Sequence, residues 1–516
     1  MAAVVRHRFW NDLPTVVITE ILSYLSFGDR LRCSLVCKSW RQCLFSSQFW
    51  KNVVFVINNG NTPSTLQVLW SNNRARSRFF HKVLKCCKNS VRNVQVRFNS
   101  LNGEDVLQAL EITETLVTLR SKLQGFSLEP SSSHIEWNCR SSCKRKNEED
   151  LNFTNKLGDH MQKGVHQNVS QAKTEDKRNF QDRFIKAIRT LMMQDNHLKH
   201  IGFGFIEELV EDGNSYLTLL SQHQAESIQS LHLASVQETM YEKSKIVYQA
   251  NLFHCLIHLT ILSIDFDQVT DALLTALADQ NRLPLKQLLL YLSNLNPHYQ
   301  PVSVKTWMTL TKQSPSLEVT VTLLHFNDES SVLSEILSSH MPLTHFRSFF
   351  SAGIDEDLLY QLAVSNSETL QSLYIMDSLS EEKGPSVSFL VVDEDPFVIL
   401  AWKCKKLTSL TIIGFEVADL NVIAFARLRG SNLKELKIPA CCIVVGDDGK
   451  DVVYLDQVAP NKYHTLVNEV SKSLQFQWKP LSTFELHPSV INVELDAEEA
   501  YLWYILKDQR WLDVVD

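Results

Sequence analysis

His254 and His258 stand four residues apart, the spacing of two metal ligands one helical turn apart, yet no third ligand accompanies them and an ordinary helix pair accounts for both. His134, Cys139, Cys143 and His160 are zinc-type donors at a spacing that fits no standard site. Cys33, Cys37 and Cys43 have no histidine nearby and read as small core residues. Gly202-Phe203-Gly204 opens like a dinucleotide loop, but Glu207 stands where the third glycine is required, so a strand is the better reading. The sequence has no Gly-x-Ser-x-Gly elbow, no His-Glu-x-x-His helix and no phosphate loop. We therefore expect no catalytic residue, no metal and no cofactor, and so no active site of the chain's own.

The charge balance narrows the partners. Fifty-one Lys and Arg against 58 Asp and Glu give a net charge of −7 over 516 residues, which attracts neither nucleic acid nor anionic membrane. One run, Arg74 to Lys88, sets six cations around Phe79 and Phe80; a helix with a solvated basic face is expected there rather than an RNA contact. The 11 cysteines are scattered or adjacent (Cys86 and Cys87, Cys441 and Cys442), unlike a secreted disulfide framework, and read as reduced and intracellular. Met1 to Val5 is too short for a signal peptide, and no window approaches the ~18 apolar residues of a membrane span. Cytoplasm, nucleus or both are expected; Lys144-Arg145-Lys146 is read as a solvated loop rather than an import patch.

With chemistry set aside, the elements that carry binding come forward. From Leu13 the chain reads LPTVVITEILSYLSFGDRLRCSLVCKSWRQCLFSSQFW, three short amphipathic segments with two breaks. Pro14 suits a helix start, and Val17, Ile21, Leu22 and Leu25 are expected to form one apolar stripe. Asp29 is expected to cap a second helix with Leu31, Leu35 and Val36 on one side, and Trp40, Leu44, Phe49 and Trp50 to fill the third segment. A unit of about 40 residues rarely buries enough surface alone, so a partner is expected.

This segment resembles the F-box family at Leu13, Pro14, Val17, Ile21, Leu22, Leu25, Asp29, Val36, Cys37, Lys38 and Trp40. The resemblance implies that Leu13, Pro14, Val17, Ile21, Leu22, Leu25, Val36 and Trp40 bind a Skp1-type adaptor, and through it cullin-1 and a RING subunit.

Downstream an apolar-x-x-apolar-x-apolar text recurs: Leu198-Ile201-Phe203, Ile228-Leu231-Leu233, Leu259-Leu262-Ile264, Leu285-Leu288-Leu290, Leu370-Leu373-Ile375, Leu407-Leu410-Ile412 and Leu433-Leu436-Ile438. The starts are spaced as in a solenoid. Weaker copies stand at Val91-Val94-Val96 and Leu123-Phe126-Leu128, and those near Leu317 and Leu343 are off-register. Stretches with helical spacing, such as Gln268 to Asn281 and Glu394 to Lys406, lie between. Stacked strand–helix units bury what one unit cannot. The expected fold is therefore α/β: an N-terminal three-helix F-box followed by an irregular leucine-rich-repeat solenoid.

The expected organisation is an F-box at 8–54, first repeats and linker at 55–128, a polar disordered insertion at 129–182, the repeat array at 183–484, and an acidic cap or tail at 485–516, read as a helix over the last repeat. If strands line a concave surface, the middle residue of each Leu-x-Leu points outward. His232, Ser263, Leu289, Tyr374, Thr411 and Lys437 are accordingly expected to touch a protein substrate, with Tyr374 as anchor. The function implied is the non-catalytic substrate-recognition subunit of an SCF ubiquitin ligase. The alternatives are a non-degradative scaffold bound to the adaptor and a metal-dependent enzyme built on stray His and Cys.

Overall fold

The computed structural model describes residues 13–57, 73–120, 122–137, 179–194, 197–236, 247–293, 295, 299–327, 330–337, 340–380, 384–385, 387–388, 394–446, 453–492 and 494–510. The chain forms two compact units. The first is Met1–Gly204 with Gln222–Ile228 and Arg510–Asp516; the second is Phe205–Ser221 with Gln229–Gln509.

The first unit begins with α1 (Thr15–Ser23), α2 (Phe27–Cys33) and α3 (Lys38–Cys43). Pro14 precedes the first helix, and its carbonyl accepts from Val17 and Ile18. The packed stripe is Ile18 and Leu22 with Cys43, joined by Leu13, Leu25, Cys33, Trp40 and Phe49. Ile18 and Leu22 lie four apart on one helical face, so Val17, expected in the stripe, is left exposed. Ser26, not Asp29, caps the second helix: its Oγ accepts from the Asp29 amide, while Asp29 pairs with Arg32 at 2.7 Å. That helix stops at Cys33, which removes Leu35 and Val36 from the face that Leu31 buries.

The sheet of this unit then follows as β1 (Asn52–Ile57), β2 (Asn93–Phe98), β3 (Gly125–Pro130) and β4 (His200–Gly202), parallel neighbours in chain order. Its helices are α4 (Asn73–Cys87), α5 (Gly103–Thr118), capped by Asn102, and α6 over 179–193. The basic run is α4 as expected, and its rings are core. Phe80 is buried 4.7 Å from Phe55, and the half-buried Phe79 lies 6.0 Å from Trp50, so both rings are engaged by neighbouring aromatics. Two boundaries of the expected insertion move. Glu129 ends a strand rather than beginning a loop, because Arg97 and Arg510 reach it at 2.7 and 2.9 Å and let its charge be buried. Trp137 packs on Phe180 and Phe184 of α6. Residues 138–178, including Lys144–Lys146, Cys139, Cys143 and His160, lie outside the described residues. Gly204 turns the chain at φ +69°, where a Cβ would stand 2.4 Å from Pro130 Cδ.

The second unit has α7 (Glu207–Val210), α8 (Gly213–His223), β5 (Ser230–His232), α9 (Ala250–His254), β6 (Ile261–Asp265), α10 (Asp271–Leu277), β7 (Gln287–Leu292), α11 (Val304–Gln313), β8 (Glu318–Leu324), α12 (Ser330–Ile336), β9 (Leu343–Phe349), α13 (Glu356–Ser365) and β10 (Ser372–Met376). The short strands β11 (Leu379–Ser380), β12 (Gly384–Pro385) and β13 (Val387–Ser388) precede α14 (Pro396–Lys403), β14 (Ser409–Ile413), β15 (Phe415–Ala418), α15 (Asp419–Arg429), β16 (Glu435–Lys437) and β17 (Ile443–Val444). Last come α16 (Pro460–Leu474), α17 (Pro488–Ile491) and α18 (Glu498–Leu506). β5 through β10, then β14 and β16, pair in parallel in that order. This is the alternation the repeat text implies. Side-chain caps from Thr270, Ser303, Asp355 and Asp395 start α10, α11, α13 and α14. The off-register copies near Leu317 and Leu343 are β8 and β9, whose pairing slips between Val319 and Thr320. α9 ends at His254, so His258 does not share its helix, and His254 instead faces Asp279 at 3.3 Å.

Candidate adaptor and partner surfaces

The F-box segment divides into core and surface. Of the eight residues assigned to an adaptor, Leu22 is fully buried, and Leu13, Leu25 and Trp40 pack partly buried against the core. Ile21 is half-buried, while Pro14, Val17 and Val36 are exposed. Val16 at 80% and Tyr24, which sequence reasoning passed over, are exposed too, as is Leu35 at 60%, expected on one side of the second helix with Leu31 and Val36. Val16, Val17, Leu35 and Val36 are thus apolar side chains that the packing of the unit leaves in solvent. The missed signal was the length of α2. A helix of seven residues cannot bury both Leu31 and Leu35.

The six residues assigned to a substrate fall on two neighbouring rows of one sheet face. His232, Ser263 and Leu289 are in register with one another. Tyr374, Thr411 and Lys437 belong to the next row, which continues through Arg347, Thr322 and Tyr291 to Asp265. His232, Ser263, Leu289 and Thr411 are buried, Tyr374 is half-buried and Lys437 is exposed. The outward-facing row that the period-two pattern implies is thus largely covered.

The cover over part of it is the C-terminal segment. Tyr504 of α18 lies 4.8 Å from Tyr374, and Tyr501 lies 5.5 Å from Phe349 and 5.4 Å from His325. Just beyond the helix, Asp508 accepts from Tyr291 Oη at 2.5 Å and from Arg347 Nη1 at 2.6 Å. The segment expected to cap the last repeat therefore lies along the middle strands β7 to β10. Its apolar face, Tyr501, Leu502, Ile505 and Leu506, is buried, and Arg347 gives Asp508, just below the helix, a largely buried partner. Arg347 escaped the repeat text because the pairing of β8 with β9 slips, and Tyr291 because it stands one residue beyond the Leu288-x-Leu290 letters.

The electrostatics follow from this packing. Burial opposes the charge on Arg347, but Asp508, Tyr291 and Tyr504 together outweigh it and hold the guanidinium above its ordinary value. Burial pushes the Tyr291 and Tyr374 phenols up. His232 is pushed down to about 3 by burial and is neutral, with Nε2 2.8 Å from Ser230 Oγ. Burial, reinforced by Arg347, also lowers His345. At the open end of the row Lys437 and Ser409 bind Glu435 and hold its carboxyl down against burial. Among the described residues no group of three or more His, Cys, Asp or Glu is placed to hold a metal ion, and no helix is long and apolar enough to cross a membrane.

The three-helix unit is an F-box-like domain, since residues 10–56 match that family model, and the strand–helix units after it stack their strands into a parallel sheet as solenoid-like repeats do. Across most of its length the chain is similar to F-box only protein 33. It is 26% identical to the Homo sapiens protein over 92% of this chain and 83% of the relative, and 28% identical to the Mus musculus protein over 83% and 76%. It is also 21% identical to F-box/LRR-repeat protein 21 of Ovis aries, over 91% of this chain and 89% of the relative.

Proposed function

We propose that the chain is a substrate-recognition subunit of an SCF-type ubiquitin ligase, without catalysis of its own. The observation that carries this reading is the F-box-like unit with Val16, Val17, Leu35 and Val36 in solvent. A Skp1-type adaptor covers these residues and joins the chain to cullin-1 and a RING subunit. The repeats hold a protein substrate, so ubiquitin transfer in trans gains from proximity. Lys437 and Tyr374 are the two members of the expected row that a substrate can still reach while the C-terminal segment is in place. The compartment implied is cytoplasm or nucleus.

Co-purification with a Skp1-type adaptor tests the reading. Wild type captures adaptor stoichiometrically, and a Val17→Asp, Val36→Asp double variant, which leaves the F-box core untouched, does not. No capture by wild type overturns it. A scaffold role is distinguished by turnover of the captured partner, which a receptor accelerates and a scaffold leaves unchanged.

A further inference from the structure

The outer helices of the repeat unit carry a cluster of rings and cations that neither surface above uses. Tyr360 of α13 and Trp402 of α14 are 51% and 62% exposed, and Val364, one turn from Tyr360, is exposed as well. Both helices bury their other large apolar faces, through Leu358, Leu359 and Leu362 in one and Phe397 and Leu400 in the other. α13 and α14 pack side by side, and one ammonium bridges them: Lys403 Nζ lies 6.0 Å from the Tyr360 ring centre and 5.4 Å from that of Trp402. The rings therefore form a single patch.

Cations continue from it. Lys405 and Lys406 are exposed in the turn after α14. Arg429 from α15 donates to the Cys404 carbonyl at 2.9 Å, at the start of that turn. Lys434 in the following repeat is exposed, and its amide donates to Thr408 O at the turn's far end. Arg427 is set apart by its pairing with Glu469. The matching turn of the preceding repeat, Asn366 to Thr369, holds Glu368 and no cation. In a chain of net charge −7, five cations thus collect at two successive turns beside two exposed rings. A merely solvated charged face does not need the rings, and a merely structural helix pair would bury them.

We propose that this patch docks an acidic segment of a partner protein. Carboxylates meet Lys403, Lys405, Lys406, Arg429 and Lys434, and an apolar side chain of the segment lies on Tyr360 and Trp402. Opposite charge sets orientation and encounter rate, while the aromatic anchors hold the complex together. The site lies on helices and their turns, shares no residue with the F-box, and stands whether or not the chain serves a ligase.

Fluorescence anisotropy on the full chain tests it. The probe is a labelled peptide of about twelve residues, glutamates around one central phenylalanine, with two controls: every Glu replaced by Lys, and the Phe replaced by Ser. Wild type binds the first probe best. A Lys405→Glu, Lys406→Glu double variant weakens it about tenfold or more and flattens its salt dependence, and Trp402→Ala abolishes the preference for Phe over Ser. Melting temperatures stay at the wild-type value because all three side chains are in solvent. The proposal is overturned if the acidic peptide binds no better than the lysine control, or if the variants bind as wild type does. It is equally overturned if vesicles with a fifth phosphatidylserine bind through these residues while the peptide does not.

Discussion

His232 offers the sharpest measurement, because its sequence pattern assigns it to a surface and its structure to the interior. In the folded chain burial holds its pKa near 3; in the unfolded chain it titrates near its usual 6.5. The folded value is the lower one, so the unfolded state binds the proton first as pH falls. Stability from the neutral imidazole is fully present above about 6.5 and drains away toward about 3. Between pH 7 and pH 5 this one group removes about 2 kcal/mol, the slope steepening toward about 1.4 kcal/mol per pH unit at the acid end. His232→Gln keeps a polar head for Ser230 and removes the titration. Urea unfolding of wild type and variant at both pH values isolates the effect, and the variant's loss on acidification should be smaller by about 2 kcal/mol. Equal losses in the two proteins would refute the burial argument. A variant that loses partner capture while keeping the wild-type pH slope would return His232 to the surface.

Other perturbations separate core from contact. Leu22→Ala empties a fully buried site and should cost about 2–5 kcal/mol, read by thermal unfolding, whereas Val36→Asp should change stability by less than about 0.5 kcal/mol and still abolish adaptor capture. Asp508→Ala strands the buried Arg347; a loss of about 3–5 kcal/mol is expected, or release of the segment after α17, seen as new protease cleavage between residues 494 and 510. Gly204→Ala places a Cβ against Pro130 at positive φ and should destabilise by about 1–2 kcal/mol or more, measured by chemical denaturation.

Much of this was legible in the residues. Leu-x-Leu spacing located β5, β6, β7, β10, β14 and β16, because a residue pinned between two buried neighbours fixes both strand and face. The same spacing failed at β8 and β9, where a one-residue slip moves the outward set to new letters. There Thr322 and Arg347 stand where a leucine-based text looks elsewhere. The F-box stripe was misplaced by one residue, Val17 for Ile18, since valine and isoleucine serve equally on a hydrophobic count and only the packing of Cys43 against Ile18 and Leu22 decides. Glu129 looked like the start of a polar loop because its two arginine partners lie 32 and 381 residues away in the chain, beyond any local pattern.

The burial of the row face has the same cause. Period two says which side chains leave the core side of a strand, but nothing about what later chain lies across them. In this protein the covering residues come last, and they do not announce themselves as a ligand for strands. Residues 485–516 hold eight acids against two cations, which reads as a polar cap. Asp508 is spent on the sheet, on an arginine and a tyrosine that stand outside the Leu-x-Leu letters. Beside it Tyr501 and Tyr504 lie on rings of β9 and β10, and Tyr501 also meets His325. A partner that displaces this segment must replace both the ring contacts and the charge on Arg347, whereas one that leaves it in place meets Lys437 and the outer stripe of α18, Glu499, Trp503 and Lys507, instead. Capture measured with Asp508→Ala beside wild type tells these apart: tighter capture by the variant means displacement, and unchanged capture means the segment stays.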